Sequence, residues 1–169
     1  IKVINNDEPL SIDENMIKVA SFVETEYFLW LGDDDMIEEG ELQNLIAIVK
    51  ENLADVILLN AKFVSSDLST TYYKTMNIKT NIHYHTPKDL FNNHHTHSPF
   101  GTLILKTELF NNSLTSINKY MDTSHAYGGI VYDYLAEKYK KTNSVAILVV
   151  AHCYIYLRST PKTWTQFSD

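Results

Sequence analysis

The sequence is poor in cysteine and in basic residues, and it has no long apolar run. Its one cysteine, Cys153, excludes an internal disulfide and suits a reducing cytoplasm. Lys and Arg number 14 against 21 Asp and Glu, for a net charge of -7. This balance disfavours a nucleic-acid partner, because binding to a phosphate backbone needs a basic face. The longest apolar run, residues 145–151, is far shorter than the roughly 20 residues of a membrane span. Together these deficits predict a cytoplasmic protein, and peripheral contact with the inner face of a membrane stays open.

The remaining composition is that of a folded globular chain. Of its 169 residues, 44% are hydrophobic and 21% are charged, which is enough for one domain with a sizeable core. Amphipathic patterns predict helices over residues 12–25 and 39–53, and apolar runs predict strands over 27–31 and 55–59. Helix and strand in alternation indicate the α/β class.

The rest of the chain is less regular. We predict strands over 70–73, 101–106 and 145–156, helices over 87–91 and 127–139, a loop over 92–99 and a tail from 158. Two helix starts carry capping signals: Ser11 with Glu14 forms a capping box, and Thr86 precedes Pro87. Cys153 and His152 are expected to be core residues of the last strand.

Three consecutive carboxylates are the most informative feature. The aromatic-rich run 27–31 ends at Gly32 and is followed by Asp33, Asp34 and Asp35. Acids at the end of a buried strand repel one another and lose hydration. Mg²⁺ or Mn²⁺ would offset that cost, since hard cations take carboxylate oxygens. The alternative is a solvated turn or a helix N-terminus, where negative charge is favoured.

This arrangement resembles the Asp-x-Asp motif of nucleotide-sugar-dependent glycosyltransferases with the GT-A fold, and most closely bacterial family 2. The agreement covers residues 11–64 and includes Gly40-Glu41-Leu42, Asp55-Val56-Ile57 and Asn60. The resemblance implies a GT-A-like (Rossmann-like) mixed sheet flanked by helices, and we predict that the 27–31 and 55–59 strands are adjacent and central in it. It also implies one domain, in which residues 1–64 form the donor and metal side and 65–169 the acceptor side. Family members usually begin with a further strand and a nucleotide-recognition segment, so we expect an N-terminal portion to be lacking.

The implied activity is metal-dependent, inverting transfer of a sugar from a nucleotide-sugar donor to an acceptor hydroxyl. Such reactions build polysaccharides or glycoconjugates, and the acceptor would be a saccharide or a lipid-linked saccharide. The resemblance implies that Asp35 binds the metal, with Asp33 as a further ligand. It also implies that Asp33 and Asp34 contact the nucleotide-sugar. The negative net charge does not oppose an anionic donor, because a metal ion reverses the local field.

Proton removal from the acceptor points to His125 or Asp122, which precede the helix predicted over 127–139. Histidine has a suitable pKa near neutrality. In the alternative, Asp122, Thr123 or Ser124 only caps that helix. In the tail, Arg158 and Trp164 match an Arg and a Trp of related enzymes that close over the diphosphate and acceptor, where Arg grips phosphate.

Two other functions stay open. The chain could be a non-catalytic nucleotide- or sugar-binding module. It could also be a zinc hydrolase that uses its histidine-rich stretch, although the spacing matches no fixed zinc pattern. The histidines concerned are His83, His85, His94, His95 and His97.

Overall fold

The computed structural model describes residues 3–94 and 100–159. The helices are α1 (Ile12–Ala20), α2 (Leu42–Asn52), α3 (Pro87–His94), α4 (Thr107–Ser113) and α5 (Ala126–Thr142), with a 3-10 helix at Leu114–Lys119. The strands are β1 (Tyr27–Leu29), β2 (Met36–Ile37), β3 (Val56–Ser65), β4 (Thr71–Lys74), β5 (Ile82–Tyr84), β6 (Leu103–Lys106) and β7 (Ile147–Ser159). The helices and strands predicted from residue 12 onward are all present, and the α/β class is confirmed.

One mixed sheet organises the chain. Its main order is β1-β6-β3-β7-β2, with β4 paired to β3 and β5 paired to β7. The central strands β3 and β7 run parallel, and the other pairs are antiparallel. The sheet contains strands from both sides of residue 64, and the division into a donor half and an acceptor half stays a prediction.

The expected adjacency of the first two strands is wrong. β6 lies between them, pairing Leu105 with Phe28 on one side and with Val56 on the other. The physical reason lies in burial. β6 is almost wholly buried and therefore takes an interior position, whereas β1 is only half-buried and takes the edge of the order. An apolar run in the sequence predicts a strand but does not predict which strands pair with it in the sheet.

The core lies on both faces of β3. Its first four residues, Val56–Leu59, are fully buried, as expected of a continuous apolar run. Val56 and Leu58 pack in the cluster that includes residues of α1, α3, α4 and α5. Ile57 and Leu59 pack in the opposite cluster, which includes Leu45 of α2. Helices therefore cover both faces of the sheet. Within the described ranges, no helix is long and apolar enough to cross a membrane.

Several predicted boundaries shift. The capping box of Ser11 and Glu14 is confirmed, but α1 ends at Ala20 rather than residue 25. The Thr86 cap is confirmed, because its hydroxyl accepts the Asp89 N–H at 3.1 Å. Helix α3 continues to His94, so residues 92–94 of the predicted loop are helical and 95–99 lie outside the described residues.

The last strand contains a bulge, and the prediction that His152 is a core residue of this strand is wrong. Leu59 pairs with Val150 and Asn60 with Cys153, so β7 accommodates two extra residues at this point. His152 is one of them, and it is exposed rather than part of the core. Its ring lies 3.7 Å from the Glu41 carboxylate. Cys153 is buried, as predicted.

Asn60 holds this bulge together. Its amide group donates to the carbonyls of Met76 and Ala151 at 3.0 and 2.9 Å. Its side-chain oxygen accepts from the N–H groups of Ala61 and Met76 and from the Thr75 hydroxyl. The Asn60 side chain itself is buried, and an unmet polar group there is costly.

We expect Asn60→Asp to destabilise the fold by about 3 kcal/mol, because a buried carboxylate would face two carbonyl oxygens. Urea or thermal unfolding measures the change in the free energy of unfolding. Asn44→Asp is the matched control, since Asn44 is exposed on α2. Equal effects of the two substitutions would contradict the role of Asn60.

Candidate active site

The acidic loop, residues 32–35, follows β1 at its carboxyl end, as predicted. The Asp35 amide donates to the Gly32 carbonyl at 3.2 Å, so the backbone turns back on itself. A Cβ at Gly32 would lie 2.9 Å from Asp34 Oδ1 and 3.0 Å from Asp35 Oδ2. The absence of a side chain at Gly32 therefore lets both carboxylates approach the backbone.

Asp35 is half-buried at the end of the loop. Its carboxylate accepts the backbone N–H of Arg158 on β7. On another side it meets Gly101, where φ is +90° and a Cβ would lie 3.0 Å from Asp35 Oδ2. Burial and then the charge of Asp34 raise the pKa of Asp35 to about 6, and the contacts with Arg158 only partly oppose this. The Asp35 carboxylate is thus incompletely compensated, an environment that suits a bound cation.

Arg158 binds the backbone of the acidic loop. It lies within β7 rather than in a tail, and its guanidinium Nε donates to the Asp34 carbonyl. A second guanidinium nitrogen donates to the Asp33 carbonyl at 3.3 Å. The guanidinium has five N–H donors, so these two bonds leave others for a ligand. A grip on phosphate by Arg158 stays a prediction, and Trp164 lies outside the described residues.

A polar cluster fixes the chain just beyond the loop. The Glu38 carboxylate accepts from the Tyr156 hydroxyl and from Lys62 Nζ, the latter at 3.2 Å. Burial acts to raise the pKa of Glu38, but the hydrogen bonds from Tyr156 and Lys62 outweigh it and the pKa is lowered. The Glu38 amide also donates to the Tyr154 carbonyl at 2.8 Å. These contacts hold the segment after Asp35 against β3 and β7.

The turn of residues 122–125 precedes α5. Asp122 and His125 are both exposed, and Asp122 and Ser124 have left-handed φ angles of 66° and 59°. The buried Asp13 of α1 accepts the N–H groups of Ser124 and Ala126 at 3.0 and 3.2 Å. Since Asp13 contacts the first N–H of α5, this helix start does not rely on Asp122 as its cap.

Aromatic contacts connect the acidic loop with this turn. Trp30 lies two residues before the loop and stacks on Phe100, with ring centroids 6.4 Å apart. Phe100 meets Tyr127 edge-on at 5.8 Å, and Tyr127 meets His125 at 6.0 Å. Gly101, which contacts Asp35, is the neighbour of Phe100 along the chain. The two predicted parts of the site are therefore joined through packed side chains.

The described side chains show which groups of His, Cys, Asp and Glu lie close enough together to bind a metal ion. Across residues 3–94 and 100–159, no group of three or more His, Cys, Asp or Glu side chains is arranged to hold an ion. This finding gives no support to a zinc site at His83, His85 and His94. The other two histidines of that prediction, His95 and His97, lie outside the described residues. His94 is buried, and its Nε2 lies 3.2 Å from the Tyr84 hydroxyl. Mg²⁺ keeps several waters and needs only one or two protein carboxylates, and its binding by Asp35 and Asp33 stays a prediction.

Two residues at the site escaped the sequence reading. Asp13 lies between the two capping-box residues, and its spacing to Met16 and Ala20 places a carboxylate on the buried face of α1. A carboxylate at a buried position of an amphipathic helix indicates that it has a polar partner inside the protein. Gly101 was read as a strand start, and no local pattern announces its contact with Asp35.

Known structures share this fold. The fragment 1–349 of S. aureus TarS in complex with UDP matches with a TM-score of 0.60 at 20% identity, covering 88% of this chain and 40% of that chain. The same fragment in complex with UDP-GlcNAc matches with a TM-score of 0.59 at 17% identity, covering 90% and 40%. A further crystal structure of S. aureus TarS gives 0.61 at 19% identity, covering 89% and 25%. This chain thus spans at most two fifths of those proteins, and the likeness establishes a GT-A fold.

A family model settles the class. The model described as Glycosyl transferase family 2 matches residues 1–114, about two thirds of the chain. The chain belongs to glycosyltransferase family 2, as the acidic loop and its flanking elements predicted. A search of curated protein sequences found no match.

Proposed function

We propose that the protein catalyses metal-dependent, inverting transfer of a sugar from a nucleotide-sugar donor to an acceptor hydroxyl. The observation that carries this proposal is the acidic loop, held by Arg158 at the carboxyl end of β1 in a chain of family 2. Ligands of open α/β sheets bind at the carboxyl ends of strands.

The base is His125 or Asp122. It takes the proton of the acceptor hydroxyl as the acceptor oxygen bonds to the anomeric carbon. The bond from that carbon to the diphosphate oxygen breaks, and its electron pair leaves with the nucleoside diphosphate. Both candidates are exposed on a turn whose backbone is hydrogen-bonded to Asp13. An exposed base is open to an acceptor, and the fixed backbone keeps it in place.

The donor is proposed to bind at the acidic loop, with Asp33 and Asp34 facing the nucleotide-sugar. Asp35 and Asp33 would hold Mg²⁺ or Mn²⁺, which would stabilise the growing charge of the diphosphate. Arg158 keeps the backbone of this loop in place and has further N–H donors for phosphate oxygens. Two of the TarS structures that share this fold are complexes, one with UDP and one with UDP-GlcNAc, so UDP-sugars are the first donors to test.

The acceptor is proposed to be a saccharide or a lipid-linked saccharide, in the assembly of a polysaccharide or glycoconjugate. The reaction would take place in the cytoplasm, at the inner face of the membrane where the acceptor carries a lipid. The net charge of -7 fits a partner other than nucleic acid.

The test is transfer and slow hydrolysis of a panel of UDP-sugars by the full-length protein with Mn²⁺, followed by removal of the metal with EDTA. We expect release of UDP with Mn²⁺ or Mg²⁺, loss of this activity in EDTA, and recovery when the metal is returned. Full activity in EDTA would contradict the metal dependence. Binding of a nucleotide-sugar without any turnover would favour the non-catalytic module, and hydrolysis that needs Zn²⁺ would favour the zinc hydrolase.

A further inference from the structure

Asp13 connects α1 to the turn that carries the proposed base. It lies 111 residues from Ser124 and 113 from Ala126 along the chain, and its side chain is buried. Its Oδ2 accepts the Ser124 N–H at 3.0 Å, and its Oδ1 accepts the Ala126 N–H at 3.2 Å. The two bonds lie on either side of His125, so one carboxylate fixes the backbone before and after that residue.

The turn needs such a contact because its backbone is unusual. Asp122 and Ser124 have φ angles of 66° and 59°, in a region that residues other than glycine rarely occupy. Such conformations persist only where the surrounding structure holds them. Within the turn, the Thr123 hydroxyl accepts the His125 N–H at 3.1 Å. From outside the turn, the Asp13 carboxylate accepts the backbone N–H groups of Ser124 and Ala126.

A carboxylate suits this place for electrostatic reasons. Asp13 lies in the first turn of α1, and it also contacts the first N–H of the 17-residue α5. Helix N-termini carry partial positive charge, so two of them stabilise one buried negative charge. Asparagine has nearly the same size, but it has only one acceptor oxygen and its amide nitrogen would face an N–H donor.

We infer that Asp13 is a positioning residue that holds the Asp122–His125 turn in the geometry for removing the acceptor proton. This inference rests on the proposed function. Asp13 touches neither donor nor acceptor in this role. It acts through the backbone of Ser124 and Ala126, and a small displacement of a catalytic group is enough to slow a reaction greatly.

The test compares Asp13→Asn with Ser11→Ala in the full-length protein. Ser11 caps the same helix, and its side chain bonds to Glu14 rather than to the turn, so it controls for loss of α1 stability. We expect Asp13→Asn to lower kcat about 10- to 100-fold with the KM for the donor unchanged, and Ser11→Ala to leave kcat within about twofold. Hydrogen exchange at the amides of Ser124 and Ala126 should be faster in Asp13→Asn alone. Equal kcat values for the two variants, or unchanged exchange at these amides, would overturn the inference.

A double substitution separates this inference from the proposed function. The second change is the more damaging of His125→Ala and Asp122→Asn. With the base removed, Asp13→Asn should lower kcat by less than about twofold more, because both changes act on the same step. Additive losses would refute the positioning role and leave the base in place. If neither His125→Ala nor Asp122→Asn lowers kcat, the base assignment itself fails and the role of Asp13 falls with it.

Discussion

Asp35→Ala is expected to lower the turnover of the full-length protein by about 10²–10³-fold, the scale of losing one electrostatic contact to the transition state. Asp35 is the acid of the loop that contacts the Arg158 N–H and the backbone at Gly101. Its carboxylate is proposed to hold the metal that stabilises the leaving diphosphate. The fold should survive, because removal of one of three neighbouring negative charges relieves their repulsion.

Asp35→Asn sharpens this test. The amide oxygen can still accept the Arg158 N–H, but the negative charge is gone. We expect Asp35→Asn to be nearly as inactive as Asp35→Ala, and Glu39→Gln to retain full activity as an exposed acid four residues further on. Turnover of the donor at saturating Mn²⁺ is the measurement. If Asp35→Asn keeps normal turnover, Asp35 serves to fix the loop and not to bind a metal.

His125→Ala is expected to lower kcat by about 10²–10⁴-fold while donor affinity hardly changes. The histidine would take the proton of the acceptor hydroxyl, which a donor-binding measurement does not sense. Slow hydrolysis of the donor should suffer less, because water can leave its proton to solvent more easily than a bound sugar hydroxyl can. His83→Ala is the control, since His83 is an exposed histidine of β5.

Asp122→Asn decides between the two candidates for the base. With His125 as the base, Asp122→Asn is the milder change in kcat. If Asp122→Asn is instead the more damaging, Asp122 is the base and His125 is left with a role in acceptor binding. If neither matters, the base lies elsewhere in the protein. The structure adds one constraint, because Asp13 makes the hydrogen bond to the first N–H of α5 and leaves Asp122 exposed.

Local patterns of the sequence determined much of the fold. The uninterrupted apolar run 55–59 predicted a strand buried on both faces, and Val56–Leu59 are fully buried. Ser11 and Glu14 predicted the start of α1 through bonds that span only three residues. Gly32 and the three acids after it predicted a polar loop at the end of a strand. Such features depend on neighbours in sequence, so they can be recognised without the rest of the fold.

Contacts between distant residues were decided only in three dimensions. The sequence named β1 and β3 as strands, but the insertion of β6 between them depends on which strands are buried most completely. His152 reads as a core residue of an apolar strand, and the bulge opposite Asn60 turns it outward. Arg158 reads as part of a tail, and the length of β7 places it beside the backbone of the acidic loop.

The candidate site shows the same division. The sequence by itself supplied the candidate residues, namely the carboxylates of Asp33–Asp35 and the turn of Asp122 and His125, and their roles stay predictions. Only the tertiary structure supplied their distant contacts, namely Gly101 against Asp35 and Asp13 against the turn. Both contacts connect residues more than 60 positions apart. Local sequence patterns predict the secondary structure of each segment. The contacts between distant segments depend on burial, on the order of strands in the sheet and on hydrogen bonds to buried polar groups.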